Sequence, residues 1–135
     1  MSAALVDPGS RRVATVTVVV AGYDEAIAWY TEKLGFSLTE DIALEDGKRW
    51  VVVSAGGGAR LLLAKASGDE QQSRIGNQTG GRVFLFLETD DFSRDYKTMT
   101  DRGVQFRETP RQETYGTVAV FADLYGNLWD LIEPR

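Results

Sequence analysis

Histidine and cysteine are both absent from the 135 residues. Without cysteine there is no disulfide framework, no thiolate zinc site, no iron–sulfur cluster and no cysteine nucleophile. Without histidine there is no Ser-His-Asp triad, no paired-histidine metalloprotease helix and no imidazole base working near neutral pH. Long hydrophobic runs are also missing: Val18 to Ala21 and Leu61 to Ala64 fall far short of the roughly 20 residues that cross a bilayer. Basic charge is in deficit, with 15 Lys+Arg against 20 Asp+Glu and a net charge of −5. Such a chain, lacking a basic stripe, is poorly suited to a polyphosphate, so nucleic acid is not an expected partner. In the opening MSAALVDPGSRR, Asp7, Pro8 and Gly9 interrupt what would be the apolar core of a signal peptide. The expectation is a cytoplasmic protein with no membrane association.

What is present reads as one compact domain, 43% hydrophobic and 26% charged. Val13 to Val20 is a β-branched run suited to a strand, ended by Gly22. Tyr23, Ala26, Ile27, Tyr30 and Leu34 then recur at helical spacing, with Asp24 and Glu25 in the first turn, Lys33 in the last and Gly35 at the C′ position. Phe36 and Leu38 open a strand that runs toward Leu44, and Asp46-Gly47 predicts a type I′ hairpin turn into Trp50 to Val53. Gly56-Gly57-Gly58 leads on to Leu61 to Leu63. It joins two strands and opens no helix, so it reads as a hairpin turn and not a phosphate loop.

Residues 66–81 are polar and Gly-rich, with one short helical turn expected around Glu70 to Ile75. They read as a solvated connector or as a lid folding over a cup. The order then recurs. Val83 to Leu87 predicts a strand, and Asp90 caps a helix carrying Phe92, Tyr96 and Met99 that Gly103 closes. Thr117 to Phe121 and Leu128 to Ile132 are further strands. Gly35 and Gly103, Val52 and Val120, and Gly58 and Gly126 are each 68 positions apart. The chain is therefore read as a repeat: a tail (1–11), a first βαβββ module (12–65), the linker (66–81) and a second module (82–135). Neither half buries enough alone to stand as a separate domain.

Three phrases carry a resemblance: Val19 to Tyr30 across the first helix, Lys33-Leu34-Gly35-Phe36, and the closing Asp123-Leu124-Tyr125-Gly126-Asn127-Leu128-Trp129-Asp130-Leu131. Together they resemble the glyoxalase / bleomycin-resistance / extradiol-dioxygenase (vicinal oxygen chelate) superfamily over about Val13 to Pro134. The resemblance implies an α+β fold in which two βαβββ modules curve mixed sheets around a cup, often completed by a homodimer. It also implies a divalent metal held by one residue from the first and one from the last strand of each module, usually two His and two carboxylates. The matching positions here are Thr15 and Leu62 in module one, and Val83 or Phe84 with Asp130 in module two. One carboxylate of four ligands survives, so no resident metal or other cofactor is expected. The alternative is a hard ion such as Mg²⁺ or Mn²⁺ held by Asp130 jointly with substrate oxygens.

Asp130 stands among Leu128, Trp129, Leu131 and Ile132, so its carboxylate is expected to face a pocket as acid, base or counter-charge. The competing reading is a buried Asp satisfied by a neighbour, for which Arg60, on the face of Leu62, is the candidate. Trp50 and Trp129 either line the cup or belong to sheet core or a dimer interface. Tyr115 either places its hydroxyl at the cup mouth or is a solvated turn residue. The leading expectation is a metal-independent protein that binds a small organic molecule, with Thr15, Arg60, Leu62, Trp50, Phe84, Tyr115 and Trp129 around Asp130. A metal-assisted lyase, isomerase or dioxygenase using Asp130, and a catalytically silent regulatory relative, are the alternatives.

Overall fold

The structure, a computed structural model, describes residues 9–135; most of the segment weighed as a signal peptide lies outside the described residues. The first half runs β1 (Thr15–Val20), α1 (Tyr23–Glu32), β2 (Ser37–Ala43), β3 (Arg49–Ser54) and β4 (Arg60–Lys65). A short α2 (Gly68–Gln72) precedes the second half: β5 (Leu85–Glu88), α3 (Phe92–Asp101), β6 (Gln105–Phe106), β7 (Arg111–Glu113), β8 (Gly116–Ala122) and β9 (Leu128–Pro134). The strands form two mixed sheets, ordered β1-β4-β3-β2 and β5-β9-β8-β6, with β7 also paired to β8. In each sheet the first strand lies parallel to the last, and the other pairs are antiparallel. This is the α+β architecture that the resemblance implies.

Local chemistry explains the boundaries. Ala26 and Tyr30 put the apolar stripe of α1 into the core, and the helix stops at Glu32 with Lys33 as C-cap, one residue short of where the charge pattern placed its end. Asp46 and Gly47 both adopt positive φ, as a type I′ turn requires. The cap of α3 is Asp91, one residue after the expected Asp90: its carboxylate accepts the Arg94 backbone N–H at 3.0 Å, while Asp90 takes the Arg94 guanidinium at 2.8 Å. Either Asp suits a cap, and the backbone bond decides between them. The linker helix begins at Gly68, ahead of the expected Glu70.

The strand registers refine the repeat. Val16 pairs with Leu61 where Leu85 pairs with Trp129, and the helices open at Tyr23 and Phe92, so first strands and helices correspond at an offset of 69. The later strands keep 68, as Val52 against Leu62 and Val120 against Asp130 show. The counterpart of Thr15 is thereby Phe84, not Val83.

Alternation along the strands sends Val18, Val20, Leu61, Leu63, Val51 and Val53 from one sheet, and Ala119, Phe121, Trp129 and Leu131 from the other, into one core with α1 and α3. An aromatic series, Trp29, Tyr30, Phe36, Trp129, Phe121, Phe106, Tyr96 and Phe92, crosses it with successive ring centroids 4.5–6.2 Å apart. Tyr30 of module one thus packs against Trp129 of module two, and the halves share a single interior.

One polar group is embedded there. Asp123, 6% exposed, accepts the Tyr30 hydroxyl at 2.8 Å, the Asn127 side-chain amide at 2.9 Å, and the backbone N–H groups of Tyr125 and Asn127 at 2.9 Å each. Burial, and next the negative charge of Asp123, push the Tyr30 hydroxyl well above its ordinary pKa, which keeps it a donor; the Trp129 indole N–H, facing that oxygen without completing a hydrogen bond, pulls weakly the other way. The linker is largely exposed, as a solvated connector is, and is tied to the body at Gly76 and Gln78. Gln78 accepts the Val19 N–H at 3.3 Å and donates its own backbone N–H to Asn127 at 3.2 Å. Gly76 sits so close to Tyr125 that an added Cβ would lie 2.0 Å from that carbonyl oxygen.

Asp123→Ala strands four donors in a buried site and is expected to destabilise by about 3 kcal/mol or more, against about 1 kcal/mol for Tyr30→Phe, which leaves the other three bonds intact. Urea unfolding followed by tryptophan fluorescence measures both; equal effects would contradict the shared-acceptor account.

Candidate functional site

The opposite face of each sheet turns away from the core. In the second sheet its centre is Asp130, flanked across the strands by Phe86 and Val120. Phe86 is 63% exposed, yet Asp130 is only 6% exposed, and its Oδ1 has no hydrogen-bond partner. A buried carboxylate with an unpartnered oxygen is unfavourable, and natural folds retain such groups chiefly where function requires them. Burial raises the Asp130 pKa above the ordinary carboxylate value; nearby Arg111 opposes the shift and nearby Glu108 reinforces it.

Arg111 and Glu108 come from an irregular segment. Between β6 and β7 the chain leaves the edge of β8, and the Glu108 carboxylate takes over a ladder position by accepting the Val120 N–H at 2.9 Å. Glu108 also accepts Arg111 Nε at 3.0 and 3.1 Å, and Arg111 Nη1 lies 3.3 Å from Glu113. Tyr115, half exposed at the start of β8, and then Glu108 hold the Arg111 guanidinium firmly protonated. The result is a carboxylate within an apolar strip, bordered by a cation, an anion and a phenol. Sequence reasoning missed Arg111 and Glu108; their signal was a charged pair three positions apart immediately before the strand that faces Asp130.

In the first sheet the corresponding centre is Leu62, flanked by Thr17 and Val52. Trp50, 37% exposed, pairs with the exposed Ile42. Arg60 does not pair with Asp130 within the chain: it bonds Glu40 at 3.2 Å and the Thr15 hydroxyl at 3.5 Å, both in its own sheet. Trp129 points to the other side of β9 from Asp130, is 3% exposed and belongs to the core. Phe84 meets it edge-on at 6.5 Å and packs on the same core. Trp129 is therefore corrected from cup lining to interior, while Phe84 is half-buried at the border of that interior.

The four positions at which the resemblance places metal ligands now stand as Thr15, Leu62, Phe84 and Asp130, supplying one hydroxyl and one carboxylate. Among the described residues no three His, Cys, Asp or Glu side chains gather as a metal cluster. The donor set does not fit zinc, nickel or ferrous iron, which call for nitrogen, sulfur or several carboxylates.

The chain belongs to the glyoxalase/bleomycin resistance protein/dioxygenase superfamily, whose model matches residues 12–131. An uncharacterized protein of Shewanella frigidimarina is 59% identical over 121 residues, 87% of this chain and 90% of that protein. The crystal structure of UcmS2 superposes with a TM-score of 0.79 at 28% identity, covering 92% of this chain and 98% of that one. TnmS3, an antibiotic binding protein from Streptomyces sp. CB03234, superposes with a TM-score of 0.74 at 28% identity, covering 93% and 97%. No helix among the described residues is long and apolar enough to cross a membrane.

Because the folded state raises the Asp130 pKa, it binds the proton more tightly than the unfolded chain, so stability falls as pH rises from the ordinary carboxylate range through the raised value. Asp130→Asn is expected to stabilise by about 1 kcal/mol at pH 7 and to lose that gain in acid. Thermal unfolding across pH checks it; a variant less stable than the parent at pH 7 would show that Asp130 is a structural group.

Proposed function

We propose that this protein binds a small organic molecule carrying a basic nitrogen or other hydrogen-bond donor, seated against Asp130 on the open face of the second sheet. The observation that carries this reading is the orphaned Oδ1 of a 6% exposed carboxylate beside a largely exposed Phe86. A bound cation or donor completes that group, and the apolar strip takes the body of the molecule. Arg111, Glu108 and Tyr115 set the polar edge. Similarity to an antibiotic binding protein supports a ligand of drug-like size. The missing nitrogen and carboxylate donors support binding without a resident metal.

The proposal includes a second copy of the chain. Phe86, Trp50 and Ile42 leave both open faces with more exposed apolar surface than single scattered residues account for. Two copies placed with the first sheet of one over the second sheet of the other cover both faces and bring Thr15, Leu62 and Trp50 opposite Asp130. Asp130, held partly toward its neutral form, also suits proton exchange with a bound molecule, the feature that favours an enzymatic second reading.

Two measurements test this. Equilibrium sedimentation is expected to give a dimer that Phe86→Asp converts to monomer; a monomeric parent at micromolar concentration would contradict the pairing. In a thermal-shift panel of cationic aromatic antibiotics, at least one is expected to stabilise the protein without added metal, with affinity reduced about tenfold by Asp130→Asn and falling as pH drops through the raised Asp130 pKa. Binding that survives Asp130→Asn unchanged would sink the role assigned to that carboxylate.

A further inference from the structure

A cleft of about 710 Å³ lies on the helix side of the molecule, between the modules; it shares Phe86 with the face of Asp130 but not Asp130 itself. Its volume falls in the range of small-molecule pockets. The repeat explains why it exists. On the corresponding side of the other half, Tyr30 of α1 reaches the β8–β9 turn and bonds Asp123, with Tyr125 and Asn127 filling the turn around it. At the cleft, the registers replace Tyr30 by Met99, Asp123 by Ala55, Tyr125 by Gly57 and Asn127 by Ala59. Every replacement is smaller or unbranched, none can make the buried polar bond, and an added Cβ at Gly57 would meet no atom within 4 Å. The space occupied by a hydrogen-bonded plug in one half is open in the other.

Leu61, Leu87, Met99 and Trp129 give the cleft an apolar floor, and Glu88, Asp95 and Arg102 stand around it. Not all of these charges are engaged. Asp95 is engaged by Arg94 and Thr89. Arg102 reaches over the end of α1, its Nη1 lying 3.1 Å from where a Cβ on Gly35 would sit, and Lys33 reaches back to within 3.6 Å of the equivalent point on Gly103. Neither cation makes an ion pair among the described residues. Of the two, Arg102 lines the cleft, so it is an uncommitted cation at the edge of an apolar hollow, and Glu88 is the lining carboxylate without an ion pair. We infer that this cleft is a second binding site, distinct from the one at Asp130, for an apolar molecule bearing a single anionic group, its hydrocarbon over Met99 and its charge at Arg102.

The chain contains only two methionines, Met1 and Met99, so selective ¹³C-methyl labelling places one probe inside the cleft. Titration of the full chain with decanoate is expected to move the Met99 resonance saturably, while decyltrimethylammonium leaves it in place. Arg102→Gln, at an exposed position, is expected to weaken decanoate about tenfold, and Gly57→Tyr to block it. Asp130→Asn is expected to leave this titration unchanged, which separates it from the proposed function above. A Met99 signal that decanoate does not move, that both probes move alike, or that responds identically in Arg102→Gln would overturn the inference. Decanoate perturbing Trp50 but not Met99 would overturn it equally.

Discussion

The carboxylate of Asp123 is the group on which the arrangement of the two modules depends. It is buried, and a buried charge is tolerable only when its oxygens are taken up by donors. Three of its four donors come from its own turn, which fixes the shape of that turn, and the fourth is the hydroxyl of Tyr30, on a helix of the other module. The same Tyr30 ring stands in the aromatic series that joins Phe36 to Trp129. Polar specificity and apolar packing therefore meet at one side chain. Tyr125 adds a further link, its hydroxyl donating to Glu25 at 2.6 Å; burial and then that bond push its pKa up to about 12. The closing phrase of the sequence, which marks the family, is thus a device for joining modules.

Asp123 and Asp130 lie seven positions apart and are both nearly inaccessible, yet they obey opposite rules. Asp123 has every oxygen satisfied and supports the fold. Asp130 leaves an oxygen unused, at a cost to the fold that no hydrogen bond among the described residues offsets. Such a contrast within one hairpin separates an acid that the fold satisfies from one that it does not, more sharply than burial alone. The same asymmetry runs through the repeat, where one half plugs a space that the other leaves open.

Much of the fold was legible because it rests on period and punctuation. The stripe from Tyr23 to Leu34, the Asp46-Gly47 turn and the equal spacing of the glycine pairs are local facts that the structure reproduces. The site was less legible because its residues are related through space. From Leu128 to Ile132 nearly every residue is apolar, so the sequence could not say that Trp129 turns to the core while Asp130 turns away. Arg60 lies two residues before Leu62, the counterpart of Asp130, and so on the same face but in the other sheet, where it finds Glu40 nearer at hand. Glu108 and Arg111 belong to a stretch with no periodicity, where a side chain stands in for a missing strand bond. Whether Val83 or Phe84 answers to Thr15 turned on a single inserted residue, which only strand register resolves.

Gln78 has a consequence of another kind. β1 and β5 are both edge strands, and an uncovered edge offers its backbone groups to any other chain in extended conformation. The Gln78 side chain occupies the Val19 N–H, while its amide nitrogen donates to the Arg74 carbonyl at 2.6 Å and so stiffens the segment that carries it. The stretch between the modules acts as a guard on β1, substituting one amide for the strand partner that would otherwise come from a neighbouring molecule. A β-branched, valine-rich strand in this way has part of its edge occupied without a charge or proline of its own to deter fibrous self-association.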